Sequence, residues 1–131
     1  MHKGFLKLAF LLSATSVLLG AFAAHGLKKI ISEQSLVTFE TGVRYQFYHA
    51  FALIIAAVLY KEFKSKSTIW ACRFFVTGII LFSGSLYALA LLPSNYSIIG
   101  AITPFGGSCF ILGWIMLFFT VKFSSKKLEI K

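Results

Sequence analysis

From Phe74 to Val121 the chain carries no charged side chain, a run of 48 residues. A water-soluble domain made from 131 residues has too little interior to bury such a run. A helix that crosses a bilayer needs about 20 mostly apolar residues, so the run has room for two crossings with a break between them. Composition agrees: only 13% of the residues are charged, against about a quarter in an ordinary globular domain. The chain reads as an integral membrane protein, which excludes a soluble enzyme, a disulfide scaffold and a disordered tail.

Hydropathy places four apolar stretches. The first runs from Leu8 to Ala24, the second from Tyr45 to Tyr60, the third from Phe74 to Leu92 and the fourth within Ile98 to Val121. Flanking residues and snorkelling lysines extend them, giving spans at about 5–25, 43–61, 71–92 and 103–122 in a single domain covering 1–131. The break Pro93-Ser94-Asn95-Tyr96-Ser97 separates the last two, because proline and small polar residues favour a turn. Thr103-Pro104 is read as the cap and first position of the fourth helix. The alternative is a start near Ile99 with a kink at Pro104. The expected fold is all-α: an integral membrane bundle of four transmembrane helices.

Between the first two spans, Ser32 is suited to cap a helix and Glu33 to its first turn. Leu36, Phe39 and Val43 then share a face. The segment from Ile30 to Gly42 is therefore expected to form a short amphipathic surface helix, with continuity into the second span as a variant. Glu40 and Arg44, four apart, are in the favourable order for an ion pair.

With four spans both termini lie on one side. That side holds Lys3, Lys7, Lys61, Lys64, Lys66, Arg73, Lys122, Lys126, Lys127 and Lys131, whereas the other holds Lys28, Lys29 and Arg44. Basic loops stay in the cytoplasm, so both termini are expected there. Lys3, Lys7 and Ala21-Phe22-Ala23-Ala24 also resemble a signal peptide and its cleavage site, but removal would leave three spans and weaken this asymmetry. The net charge of +9 does not argue for nucleic acid, since the basic residues flank apolar spans. Cys72 and Cys109 fall at opposite ends of the spans, too far apart for a disulfide.

Helices in lipid associate through small residues and hydrogen bonds rather than through the hydrophobic effect. In the second span Gly42, Gln46, His49, Leu53 and Ala56 form one stripe, expected inside, and Val43, Phe47, Phe51, Ile54 and Val58 form the lipid-facing one. The third offers Thr77, Gly84, Ala88 and Leu91, the fourth Gly106, Cys109, Gly113, Met116 and Thr120, and the first Ser16, Gly20 and Ala24. Gly20, Gly84, Gly106 and Gly113 are the expected points of close helix packing, so a large residue at Gly84 should weaken the fold.

His49 is the ionisable residue inside a span and so a functional candidate by default. The plainer reading is a neutral histidine bonded to Ser83, Tyr87 or a backbone carbonyl, locking helices two and three. His25 ends the first helix, where a cation suits the dipole, and Gly26 follows as C-cap. Two histidines on neighbouring helices invite haem, yet nothing around them supports it. No His/Cys spacing suggests a metal site, and the chain has no aspartate and only four glutamates. No catalytic constellation, cofactor or metal follows, and no internal repeat of the transporter kind is present.

The run Gly20-Ala21-Phe22-Ala23-Ala24-His25-Gly26-Leu27 resembles the GAFxAHxL signature of the domain of unknown function 423 family. These are small bacterial inner-membrane proteins similar to the transmembrane protein 256 group of animals. Phe39-Glu40-Thr41-Gly42-Val43 with Tyr45-Gln46 and His49-Ala50 matches its second block, and Leu81-Phe82-Ser83-Gly84-Ser85-Leu86-Tyr87 the third. Ile102-Thr103-Pro104-Phe105-Gly106-Gly107 with Gly113-Trp114 matches the fourth. A tryptophan common in the family near Phe39 is absent here. The resemblance implies four transmembrane helices and a bacterial inner membrane, and brings no activity, cofactor or substrate.

The matched blocks put His25, Glu40, Arg44, Gln46, His49, Ser83, Tyr87 and Thr103 at one depth, in the outer half of the bundle. A membrane-embedded enzyme is a third class, disfavoured because no Ser/His/Asp set is evident, and two functions compete. One is a structural or accessory subunit working through helix–helix contacts with another membrane protein or a second copy. The other is binding or transport of a small molecule, lipid or ion at this polar cluster. The lipid bilayer is a partner in both. An outward-facing stripe of small residues would favour the first, an enclosed cavity at His49 the second.

Overall fold

The first three long helices each begin at a side chain that accepts from a free backbone N–H. His2 Nδ1 accepts from the Phe5 N–H at 3.3 Å and opens α1, Lys3–His25. Ser32 Oγ accepts from the Ser35 N–H at 3.1 Å and opens α2, Glu33–Phe63. Ser65 Oγ accepts from the Ser67 N–H at 3.1 Å and opens α3, Lys66–Gly78. In this computed structural model α3 passes through a π turn, Ile79–Ser83, straight into α4, Gly84–Leu91. The short α5, Ser97–Gly100, precedes α6, Thr103–Leu128. Residues 1–92 and 97–128 are described, with backbone alone for 97 and 123–128. The expected break at Pro93-Ser94-Asn95-Tyr96, and Glu129 and Lys131, lie outside them.

The described residues contain no strand, and four helices are long and apolar enough to cross a membrane. The fold is all-α, as its hydropathy requires. The segment expected as a surface helix is the opening of α2: after the Ser32 cap nothing interrupts the helix until Phe63. At 1.5 Å per residue α2 is about 46 Å long, against a hydrocarbon core of about 30 Å, so it projects beyond the apolar layer.

The connections are tight. Gly26 caps α1 but keeps a right-handed conformation with φ −90°, so its value is space: a Cβ there would lie 3.0 Å from the Phe22 ring. Lys64 ends α2 in the left-handed region at φ 42°, and α3 begins two residues later. Thr103 opens α6, as the cap reading placed it within one residue, and a separate helical turn precedes it. Its hydroxyl pairs with Ser85 Oγ at 2.7 Å, tying the start of α6 to α4.

α2 is the hub. It packs along α1 on one side and along α3, the π turn and α4 on the other, while α6 packs on α3 and the π turn. Gly42, Gln46, His49, Leu53 and Ala56 are all buried. One core joins Ala9, Leu53, Ala56, Ala71, Phe75, Phe110 and Leu117. A second, at the end carrying the α1–α2 connection, joins Ala23, Leu27, Phe39 and Ala90.

The glycines sort into two kinds. A Cβ on Gly106 would lie 2.7 Å from Phe82 Cα, one on Gly113 2.5 Å from the Phe75 ring, and one on Gly78 2.5 Å from the Phe110 ring. Gly20 is looser, 3.6 Å from a Val43 methyl. Gly84 departs from expectation: nothing lies within 4 Å of its Cβ position. Thr77, Gly84 and Leu91 all face outward. The buried face of α3 is Thr68, Ala71, Cys72, Phe75 and Gly78, and the π turn resets the phase before α4. Small residues occur on both faces of this span, so size alone did not identify the inner one.

Candidate functional site

The polar residues expected at one depth divide into separate groups. The first is a lock built on Gln46. Its Nε2 donates to the Leu12 carbonyl at 3.0 Å and to Thr15 Oγ1 at 2.9 Å, and its Oε1 accepts from Tyr87 O–H at 2.8 Å. One amide thereby ties α1, α2 and α4. A lone amide in hydrocarbon is costly, so each such interhelical bond is worth about 0.6–2 kcal/mol.

His49 occupies a separate niche. Its Nδ1 lies 2.8 Å from the Tyr45 carbonyl of the preceding turn, and Trp114 Nε1 donates to its Nε2 at a long 3.4 Å. A ring that accepts at Nε2 carries its proton on Nδ1, so the network assigns the neutral Nδ1–H tautomer. The imidazole stacks on Phe110 with centroids 3.4 Å apart and planes 7° off parallel. His49 therefore joins α2 to α6, not to α4. Neither Ser83 nor Tyr87 bonds to it: Tyr87 is committed to Gln46, and Ser83 Oγ is buried without a hydrogen-bond partner. A cavity of about 440 Å³ adjoins the niche, lined by Tyr45, His49, Phe82, Phe110 and Trp114 among others.

His25, Glu40 and Arg44 are exposed. The expected Glu40–Arg44 ion pair is not formed: Arg44 Nη2 donates to Thr41 Oγ1 at 3.4 Å. Thr103 belongs with Ser85, away from both other groups. No three His, Cys, Asp or Glu side chains converge among the described residues, and Cys72 and Cys109 are free thiols.

Sequence reasoning missed Trp114, Phe110, Thr15 and Ser85 as partners. A signal existed for the first two. Phe110 and Trp114 stand four apart, on one helix face, and an indole N–H within the apolar layer seeks an acceptor. Thr68 and Thr120, 3.2 Å apart and buried, add a further bond between α3 and α6.

A family model described as "Protein of unknown function (DUF423)" matches residues 19–107. The chain is 44% identical over 115 residues to a UPF0382 membrane protein of Staphylococcus haemolyticus (strain JCSC1435), covering 88% of this chain and 92% of that one. It is 41% identical over 116 residues to UPF0382 membrane protein YwdK of Bacillus subtilis (strain 168), covering 88% and 93%. A UPF0382 membrane protein of Haemophilus influenzae is 42% identical over 128 residues, 98% of this chain and 100% of the relative. No solved structure matches.

Proposed function

The chain belongs to the DUF423 family of small membrane proteins of unknown function, and from that premise we propose that it is an accessory subunit acting through helix–helix contacts. The observation that carries this reading is the use made of interior polar groups. Gln46, Tyr87, Thr15, Ser85, Thr103, Thr68 and Thr120 bond to one another across helices, which builds a fixed scaffold rather than a path for a solute. The outward faces remain for lipid and for a neighbouring membrane protein or a second copy. Thr77 and Gly84 lie on such a face, where small residues permit close approach.

On this reading Gln46, His49, Tyr87 and Thr103 of the polar cluster hold helices together, and the protein is one domain of the bacterial inner membrane. Both termini are cytoplasmic, by the ten-to-three division of basic residues. The aromatic-walled cavity of about 440 Å³ beside His49 favours a second reading, in which that niche binds a small apolar ligand.

His49→Gln separates the two. Glutamine can accept from Trp114 and donate to the Tyr45 carbonyl, but it neither titrates nor stacks as an aromatic. A deletion strain complemented with His49→Gln should recover in full at normal membrane abundance. An abundant His49→Gln protein that fails to complement transfers the function to the niche.

A further inference from the structure

The groove between α1 and α2, on the outer face away from α4 and α6, holds an ordered set of charges that the accessory reading does not use. Three cavities succeed one another along it, each sharing a lining residue with the next. The uppermost, about 580 Å³, lies at the α1–α2 connection and is lined by Lys28, Glu33 and Glu40. The next, about 290 Å³, shares Glu40 with it and adds Gly20 and Arg44. The third, about 220 Å³, shares Arg44 and is walled by Val17, Phe47 and Tyr48. Gly20 lines the middle cavity, where an added Cβ would lie 3.6 Å from a Val43 methyl.

Glu40 and Arg44 line the same cavity without pairing. Among the described residues neither takes part in an ion pair within 4.0 Å, and the guanidinium makes only its long bond to Thr41. Both charges are exposed along the groove, without a counter-ion among the described residues, and so stay open to a ligand of complementary charge. Their order matters more than their number. α2 descends into the bilayer from Glu33, so carboxylates come first, the guanidinium follows about 6 Å deeper than Glu40, and an apolar wall extends another 6 Å to Tyr48 at the helical rise. A phospholipid with an ethanolamine headgroup has the matching order from water inward: ammonium, phosphate, acyl chain.

The geometry points to a docking groove for one phosphoethanolamine glycerophospholipid, in the leaflet at the Glu33 end of α2. Glu40, with Glu33 above it, receives the ammonium; Arg44 holds the phosphate; and one acyl chain lies along Val17, Phe47 and Tyr48. A phosphatidylglycerol headgroup would satisfy Arg44 but bring no cation to Glu40, and Lys28 lines only the uppermost cavity, not the one that Glu40 shares with Arg44. The groove therefore selects a zwitterionic lipid over an anionic one despite the net charge of +9.

Native mass spectrometry of the full-length protein, released from detergent in the presence of equimolar phosphatidylethanolamine and phosphatidylglycerol, tests this. The expected result is a one-to-one phosphatidylethanolamine adduct favoured by about fivefold, the worth of one exposed carboxylate–ammonium contact. Glu40→Gln should bring the two lipids to parity, and Arg44→Gln should abolish both adducts. Both side chains are exposed, so the variants keep wild-type helicity, checked by circular dichroism. Equal retention of the two lipids by the unaltered protein, an undiminished preference in Glu40→Gln, or adducts surviving Arg44→Gln would each overturn the assignment.

Discussion

Gly106 of α6 packs against the π turn and Gly84 directly follows it, and the two positions ask opposite things of a substituted side chain. At Gly106 a Cβ would meet the backbone of Phe82, with Cα at 2.7 Å, and backbone cannot turn aside as a ring can. Gly106→Ala should therefore push α6 off the π turn and cost about 2 kcal/mol, in the range of core overpacking. At Gly84 the added methyl meets no atom within 4 Å, so Gly84→Ala should be neutral or gain about 0.5 kcal/mol of helix propensity. Equilibrium unfolding in mixed detergent micelles reads both values, and equal losses at the two sites would contradict the packing. This reverses what the sequence suggested for Gly84. Residue type announces that a position is small. Which way it faces depends on helical phase, and in this span the phase is set by a feature that leaves no mark in residue type.

That feature belongs to the element scale. Nothing in Ile79-Ile80-Leu81-Phe82-Ser83 distinguishes a π turn from an α turn, since the run is apolar up to Ser83 and free of proline and glycine. α2, by contrast, was legible: its stripe from Gly42 to Ala56 recurs at three and four residues, and every member is buried. What spacing along α2 could not supply was the identity of the partners across helices. Of Ser83, Tyr87 or a backbone carbonyl, His49 takes the Tyr45 carbonyl of its own helix, and its bond across helices comes from Trp114 of α6, not from the third span. A π turn holds one residue more than an α turn. Deleting Ile80, which is 64% exposed, should convert the segment to a plain α-helix and leave both flanks in phase, keeping Tyr87 on Gln46 and Ser85 on Thr103. Deleting Leu86 instead rotates Tyr87 by about 100° and removes its bond to Gln46. Thermal unfolding in detergent should show the Ile80 deletion near the unaltered protein and the Leu86 deletion much weaker. Comparable damage from both would mean that the extra residue of the π turn carries packing of its own.

At the scale of the whole molecule, α1 is the outlying helix. It packs principally on α2, and its Leu11, Val17 and Leu18 are at least 60% exposed, whereas α2 is covered on two sides. Such an arrangement has no internal polarity that fixes its direction across a bilayer, because hydrogen bonds and glycine contacts are the same whichever end faces the cytoplasm. Direction must come from charge. The end with Lys3, Lys7, Lys61, Lys64, Lys66, Arg73 and Lys122 outweighs the end with Lys28, Lys29 and Arg44, and this arithmetic was readable before any contact was known. Ile30, 75% exposed in the α1–α2 connection, and Lys61, exposed near the end of α2, stand at opposite ends and report the direction. Ile30→Cys should react with a membrane-impermeant maleimide on intact cells, and Lys61→Cys only after the membrane is opened. The native thiols do not confuse the readout, since Cys72 is buried and Cys109 half-buried within a span. Reaction of Lys61→Cys on intact cells, with Ile30→Cys protected, would invert the molecule and move the Glu33 end of α2 to the cytoplasmic leaflet. The packing would be unchanged, which is why charge and not fold carries this prediction.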